Sequence, residues 1–175
     1  SSNDFLRIKK IILPGVGAFG DAMNNLNSLK IIEKLNEVVV EKKKKFLGIC
    51  LGAQLICKSS DEHGYNKGIG WIDAKVSKLK NKKGFRVPHT GWNNIILRSK
   101  NKKNPLLKNI NEKSLFFFTH SFGIKTSSEN NILASCRHSE TFASIIIKEN
   151  IYGMQFHPEK SQKDGLEILK NFLSL

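Results

Sequence analysis

Two hydrophobic periods alternate along this chain, one of about two residues and one of about 3.6, and together they predict strands and helices in succession. Residues 9–13 (KKIIL) form a β-branched run stopped by Pro14 and Gly15, which predicts a strand entering a loop. Over residues 21–40 the apolar positions Leu26, Leu29, Ile32, Leu35 and Val39 recur at helical spacing, predicting one helix. Residues 45–49 (KFLGI) read as a strand, and residues 52–58 have helical character. Between residues 68 and 98, short alternating segments such as 72–79 and 94–97 look antiparallel and are joined by Lys, Asn and Gly turns. Residues 114–119 (SLFFFT), 132–136, 143–148 and 151–155 follow as strands. Residues 164–173 close the chain as an amphipathic helix with Leu166, Leu169 and Phe172 on one side. A βαβ start with later hairpins implies an α/β sandwich whose central sheet is mostly parallel. Ligands in such sheets sit at the carboxyl ends of the strands.

Length and composition narrow the class. With 175 residues, no linker and no repeat, residues 1–175 read as one domain able to bury a full core. No apolar run approaches the ~20 residues that span a bilayer, so no membrane role is expected. The opening SSNDFLRIKK lacks a signal-peptide pattern and an initiator Met, so the chain is expected to begin partway into a longer protein. Cys50, Cys57 and Cys136 make no paired framework and no CxxC, which suits a reducing cytoplasm. The net charge of +14 raises the question of an anionic partner. The lysines are nevertheless scattered, and the densest run, Lys42 to Lys45, reads as a solvated turn before a strand. No zinc finger, RNP-like segment or phosphate loop accompanies them, so no nucleic acid partner is expected.

The segment FLGICLGAQL places Cys50 between Gly48 and Gly52, after a strand and before a helix. This is the thiol counterpart of the Gly-x-Ser-x-Gly nucleophile elbow. The sharp turn strains the nucleophile's backbone, and side chains two residues away on either side would collide, so glycine is required at both places. The thiol is then presented at a helix start, where N–H groups favour a thiolate and the Leu51 amide is the natural first oxyanion donor. A core cysteine beside a Gly turn would look similar from this segment alone.

Near the other end stands YGMQFHPEKS. His157 and Glu159 are one residue apart, so on extended backbone they project to the same side, and Pro158 puts them at a strand's end. Glu159 would accept from one imidazole nitrogen and leave the other to take the Cys50 proton. His63, His89, His120 and His138 show no metal-ligand spacing, so neither a metal nor any other cofactor is expected.

GICLGAQL followed by GMQFHPEKS resembles the class I (triad) glutamine amidotransferases. Within them, LPGVGAFGDAM, PHTGWN and FFFTHSF resemble the glutaminase subunits of imidazole glycerol phosphate synthase. The resemblance implies a three-layer sandwich and a triad of Cys50, His157 and Glu159 that hydrolyses L-glutamine through a γ-glutamyl thioester. It implies a heterodimer with a (β/α)8-barrel synthase, which takes the ammonia to make imidazole glycerol phosphate and an aminoimidazole carboxamide ribotide in histidine biosynthesis. It also assigns Gly15, Val16 and Gly17, after Pro14, to an oxyanion loop that switches by a peptide flip. Gly52, Gln54 and Glu62 match positions that hold glutamine, Glu62 through its ammonium. His120 and Ser121 match a segment whose backbone lines the pocket, and Lys160 would face the partner.

Such chains begin with a strand–helix–strand unit. About ten residues stand ahead of Ile11 here, too few for the ~30 of a βαβ unit, so the first strand and helix are expected to be missing. Thr119, Phe122 and Trp71 depart from the commonest residues of the histidine branch. They leave open a paralogue that supplies ammonia to a surface-sugar amidotransferase. A third possibility, of another class, is a non-enzymatic basic binding module.

Overall fold

Ile11 and Ile12 suit a pleated surface, and they open β1 (Lys10–Gly15), which runs on through Pro14 rather than stopping there. The computed structural model describes residues 9–98 and 103–175. Among these, β1 is the outermost strand of the main sheet, a place where proline forfeits no ladder hydrogen bond on its free side. The segment ahead of it, SSNDFLRI, lies outside the described residues.

Helix α1 (Phe19–Ser28) and the short α2 (Ile31–Leu35) follow, then a π-helical turn over Asn36–Glu41. Strand β2 (Lys45–Cys50) leads directly into the five-residue α3 (Leu51–Leu55). Next come β3 (Cys57–Ser60), β4 (Asn66–Lys67), β5 (Ile72–Lys78), β6 (His89–Asn94) and β7 (Ile96–Leu97). Then follow β8 (Leu115–His120), β9 (Phe122–Lys125), β10 (Ile132–Arg137), β11 (Thr141–Lys148) and β12 (Ile151–Met154), with α4 (Gln162–Ser174) last.

The main sheet runs β1-β2-β12-β11-β9-β5-β3-β4, with β10 and β7 attached beside β11, and β6 and β8 form a separate ribbon. Strands β1, β2 and β12 are parallel, as are β3 and β5, and the added strands pair antiparallel. Side chains alternate across this sheet, so Phe46 and Ile151 join one core while Leu47 and Met154 join the other. The first core is closed by Phe19, Met23, Leu35 and Val39 from the amino-terminal helices, the second by Ile168 and Phe172 of α4. Helix, sheet and helix thus make three layers, the α/β class expected from the pattern. Each fully buried phenylalanine contributes about 1.5–3 kcal/mol.

Several local expectations need correction. The helix expected over residues 21–40 breaks at Leu29 and Lys30, where Lys30 takes a left-handed conformation (φ 52°), and Leu29 is exposed. Asn24, Asn25, Asn27 and Ser28 are weak helix formers, which explains the break. Helical character over residues 52–58 lasts only to Leu55, and Cys57 already belongs to a strand. Strand β5 is antiparallel to β9 but parallel to β3, so the middle segment is not uniformly antiparallel. In α4 the buried side is Gly165, Ile168, Asn171 and Phe172, whereas Leu166 faces out.

Candidate active site

Cys50 ends β2 with φ 51° and ψ −109°, a conformation that L-residues rarely adopt. The glycines around it show why the turn can close. A Cβ on Gly48 would lie 2.5 Å from the carbonyl oxygen of Gly52, and one on Gly52 would lie 1.8 Å from that of Leu13. Helix α3 therefore presses against β1 and β2, and Cys50 is pinned at the sheet's carboxyl edge. One expectation reverses here. Burial pushes the Cys50 thiol up to about 11, and Glu159 pushes the same way, against the Leu51 amide and Lys160. A five-residue helix supplies too little dipole to offset that desolvation. The resting thiol is protonated at neutral pH and needs a base.

Topology supplies one. Ile49 of β2 lies beside Met154 of β12, and Gly15 of β1 lies beside Cys50. Three parallel strands thus release the Gly15–Gly17 loop, the cysteine and the histidine segment from one edge. The His157 amide donates to the Phe117 carbonyl at 2.9 Å. Its own carbonyl accepts from the Ser161 hydroxyl at 2.5 Å, and that hydroxyl accepts from the Phe117 amide at 2.9 Å. Ser161 was not foreseen as a site residue, since no local pattern marks a serine that braces two separate segments. Glu159 stands on a 3-10 turn, Pro158–Lys160, and not on extended backbone as expected, because the proline starts that turn. The intended contact still forms: His157 Nδ1 lies 2.7 Å from Glu159 Oε1. A carboxylate only accepts, so Nδ1 carries the proton and Nε2 presents its lone pair. Among the described residues Nε2 is buried without a hydrogen-bond partner. His157 lines the same cavity as Cys50, and no hydrogen bond yet joins its Nε2 to the thiol.

That cavity holds about 330 Å³, at the small end of ligand pockets. Val16, Gly17, Leu51, Gln54, Glu62, His120 and Ser121 line it together with Cys50 and His157. Gly15 and Gly52 do not: Gly15 packs under Leu51 and Gly52 under Leu13. Lys160 is exposed beside the cavity rather than in its wall. Gln54 spends both amide protons, on the Phe122 carbonyl at 3.0 Å and on Gln155 Oε1 at 3.1 Å, which leaves its own oxygen for a ligand. Glu62 Oε2 accepts from the Phe19 amide at 2.7 Å and so caps α1, whose own N-cap, Ala18, offers no side-chain acceptor. Thr119, Phe122 and Pro88 also line the cavity. Thr119 and Phe122 stood in the FFFTHSF motif as departures and Pro88 opened PHTGWN, but none of the three was named as a site residue. No group of three His, Cys, Asp or Glu side chains is placed to hold a metal among the described residues.

A cavity with a turn-borne thiol, a carboxylate-oriented imidazole and a glycine loop can carry out acyl transfer through a thioester. Comparison with known proteins points to the same chemistry. The family model "Glutamine amidotransferase class-I" matches residues 5–175. The "Imidazole glycerol phosphate synthase subunit HisH 2" of Methanococcus maripaludis is 46% identical over 164 residues, covering 94% of this chain and 79% of that one. A protein of the same name from Pseudomonas aeruginosa is 39% identical over 175 residues, 100% of this chain and 85% of its own. Among solved structures, PurLQS from Thermotoga maritima superposes with a TM-score of 0.67 at 20% identity, covering 95% of this chain and 79% of that one. At that identity it supports the fold alone.

Proposed function

The chain belongs to the class I glutamine amidotransferases, and from that premise we propose that it is the glutaminase subunit of an imidazole glycerol phosphate synthase. It hydrolyses L-glutamine to glutamate and ammonia and delivers the ammonia to a partner subunit for histidine biosynthesis. The observation that carries the assignment of roles is the His157 ring, which lines the cavity of Cys50, is clamped by Glu159 through Nδ1 and keeps Nε2 without a hydrogen-bond partner.

His157 Nε2 takes the proton from the Cys50 thiol, and the thiolate attacks the side-chain carbonyl of glutamine. The Leu51 amide, with a peptide of the Gly15–Gly17 loop once it turns, stabilises the tetrahedral oxyanion. His157 returns the proton to the departing nitrogen, ammonia leaves, and a γ-glutamyl thioester remains on Cys50. Water activated by the same imidazole then releases glutamate. Gln54 and Glu62 hold the amino-acid end, the carboxylate of Glu62 meeting the ammonium.

The partner is a (β/α)8-barrel synthase, and the outer side of the β6–β8 ribbon suits its docking. Trp92 and Leu115 are exposed there, Trp92 stacks edge-on with Phe117, and Thr119 on the same side reaches the cavity. Lys160 and the chain's +14 charge favour an acidic partner face. Among the described residues no helix is long and apolar enough to cross a membrane, and with three free cysteines this fits work in the cytoplasm. Thr119 and Phe122 touch the glutamine cavity and Trp71 packs against Phe46 in the core. None of the three meets an ammonia acceptor, so the surface-sugar alternative turns on the partner.

The test is glutamate release by the chain assembled with the synthase that co-purifies from its own cells. Wild type should turn over, and Cys50→Ala should not. Unchanged turnover by Cys50→Ala would remove the proposed nucleophile. A sugar-modifying synthase as the co-purifying partner would replace the histidine-pathway reading.

A further inference from the structure

His120 in the cavity wall and His89 behind it are two imidazoles whose rings the glutaminase mechanism does not use. Strand register sets His89 of β6 directly opposite His120 of β8, and both rings are buried, at 4% and 7% exposure. His89 Nδ1 lies 3.1 Å from His120 Nε2, and His120 Nδ1 lies 2.8 Å from the Phe122 carbonyl. The direction of these bonds follows from chemistry. A carbonyl only accepts, so His120 Nδ1 donates to Phe122 and its Nε2 must accept from His89 Nδ1–H. His89 Nε2 then accepts in turn, from the Asn93 side-chain amide at 3.3 Å, whose nitrogen also donates to the Arg137 carbonyl at 3.1 Å. Three donors thus point one way and end on a single carbonyl. Gln54 Nε2 donates to that carbonyl as well.

We propose that His89 and His120 form a positioning relay, which holds the Thr119–Phe122 wall and, through the Phe122 carbonyl, sets which face of the Gln54 amide meets glutamine. The proposal rests on the glutaminase reading and deepens it. Two buried imidazoles packed against Phe118 and Phe142, with the His138 ring stacked on His89, are a demanding way to fill a core. A chain of neutral hydrogen bonds repays that only if its end must stay fixed. The end lies in the pocket wall, on the carbonyl that fixes Gln54. Losing the relay frees the Phe122 carbonyl to shift, and the Gln54 amide with it. The Cys50–His157–Glu159 group sits on other strands, and it meets β8 through Phe117, three residues before His120, where the His157 amide and the Ser161 hydroxyl hold it in place without the relay. The loss should therefore fall on glutamine binding rather than on the chemical steps.

The experiment compares wild type, His89→Ala and His89→Gln, each assembled with the partner synthase. His89→Ala should raise KM for glutamine about tenfold while kcat falls less than about threefold. His89→Gln, which can still donate toward His120 Nε2, should recover most of the loss. Glutamine titrated calorimetrically into the Cys50→Ala protein, with and without His89→Ala, should show the same weakening where no turnover occurs. Should His89→Ala fail to fold, Asn93→Ala, at the far end of the relay, takes its place and should raise KM by a smaller factor. An unchanged KM in the folded variant, a loss confined to kcat, or a glutamine variant as impaired as alanine would each overturn the relay. If wild type with its partner neither hydrolyses nor binds glutamine, the glutaminase reading falls and takes the relay with it. Hydrolysis with an indifferent His89 overturns the relay alone.

Discussion

Cys50 combines a strained backbone, φ 51°, with a thiol raised to about 11 by burial. Strain presents the sulfur and desolvation keeps it protonated, so the residue is placed for reaction but idle until His157 withdraws the proton. Iodoacetamide should therefore alkylate Cys50 in the isolated chain at pH 7.5 more slowly than it alkylates a small free thiol. Rates measured by mass spectrometry that equal or exceed the free thiol would show a resting thiolate and contradict this picture. The spacing Gly48–Cys50–Gly52 made this turn readable from the sequence, because a Cβ at Gly48 is excluded by the carbonyl of Gly52 four residues on, although Gly52 is also required by Leu13 of a distant strand. The raised thiol pKa was not readable. It depends on how deeply α3 and β1 close around the sulfur, and no local pattern records that depth.

At the scale of elements, α1 illustrates a division of labour between distant segments. Its N-cap, Ala18, has no side-chain acceptor, and Glu62, 43 residues away, supplies one to the Phe19 amide. Because Glu62 also lines the cavity, its two tasks separate by substitution. Glu62→Ala should lose about 0.5–2 kcal/mol of stability as the cap disappears. Glu62→Gln keeps an acceptor oxygen and should keep most of that stability, yet raise KM because the charge opposite the glutamine ammonium is gone. Thermal unfolding and steady-state kinetics distinguish the two, and equal melting temperatures for Glu62→Ala and wild type would deny the cap. Most strands were legible from β-branched and alternating runs such as ILASC and SLFFFT. The helical stretch after Asp21 was not, because Leu29 fits the period while Lys30 leaves it. Strand β6 was read only from its last residue, Asn94. His89, Thr90, Gly91, Trp92 and Asn93 show no clean alternation, since the inner positions hold a histidine and a glycine in place of hydrophobes.

The whole molecule responds to pH through its buried imidazoles. Burial lowers His89 to about 4 and His120 to about 3, against about 6.5 when unfolded. The unfolded chain therefore binds more protons below pH 6.5, and stability, complete above that value, falls as the solution is acidified. The two touching rings should titrate as a pair, so the loss should begin near pH 6.5 and continue to about pH 4, where His89 takes up its proton. Urea denaturation from pH 7 to 4 checks this, and a flat profile would mean that the rings are not held neutral. At this scale the α/β layering followed from the alternating periods. That β1, β2 and β12 end side by side did not, because pairing between residues a hundred positions apart leaves no trace in either segment alone.

One asymmetry of the triad has a consequence for assembly. His157 is sealed in, with 4% of its side chain exposed, while Glu159 keeps 47% of its own in solvent beside exposed Lys160. Water around that carboxylate weakens its hold on the imidazole, as any high-dielectric surround does. A protein surface laid over Lys160 would also blanket Glu159 and drain this moat. The carboxylate would then grip the Nδ1–H more firmly and hold the ring in one orientation without any atom of the triad changing place, so docking itself would act as the dimmer control on the chemistry.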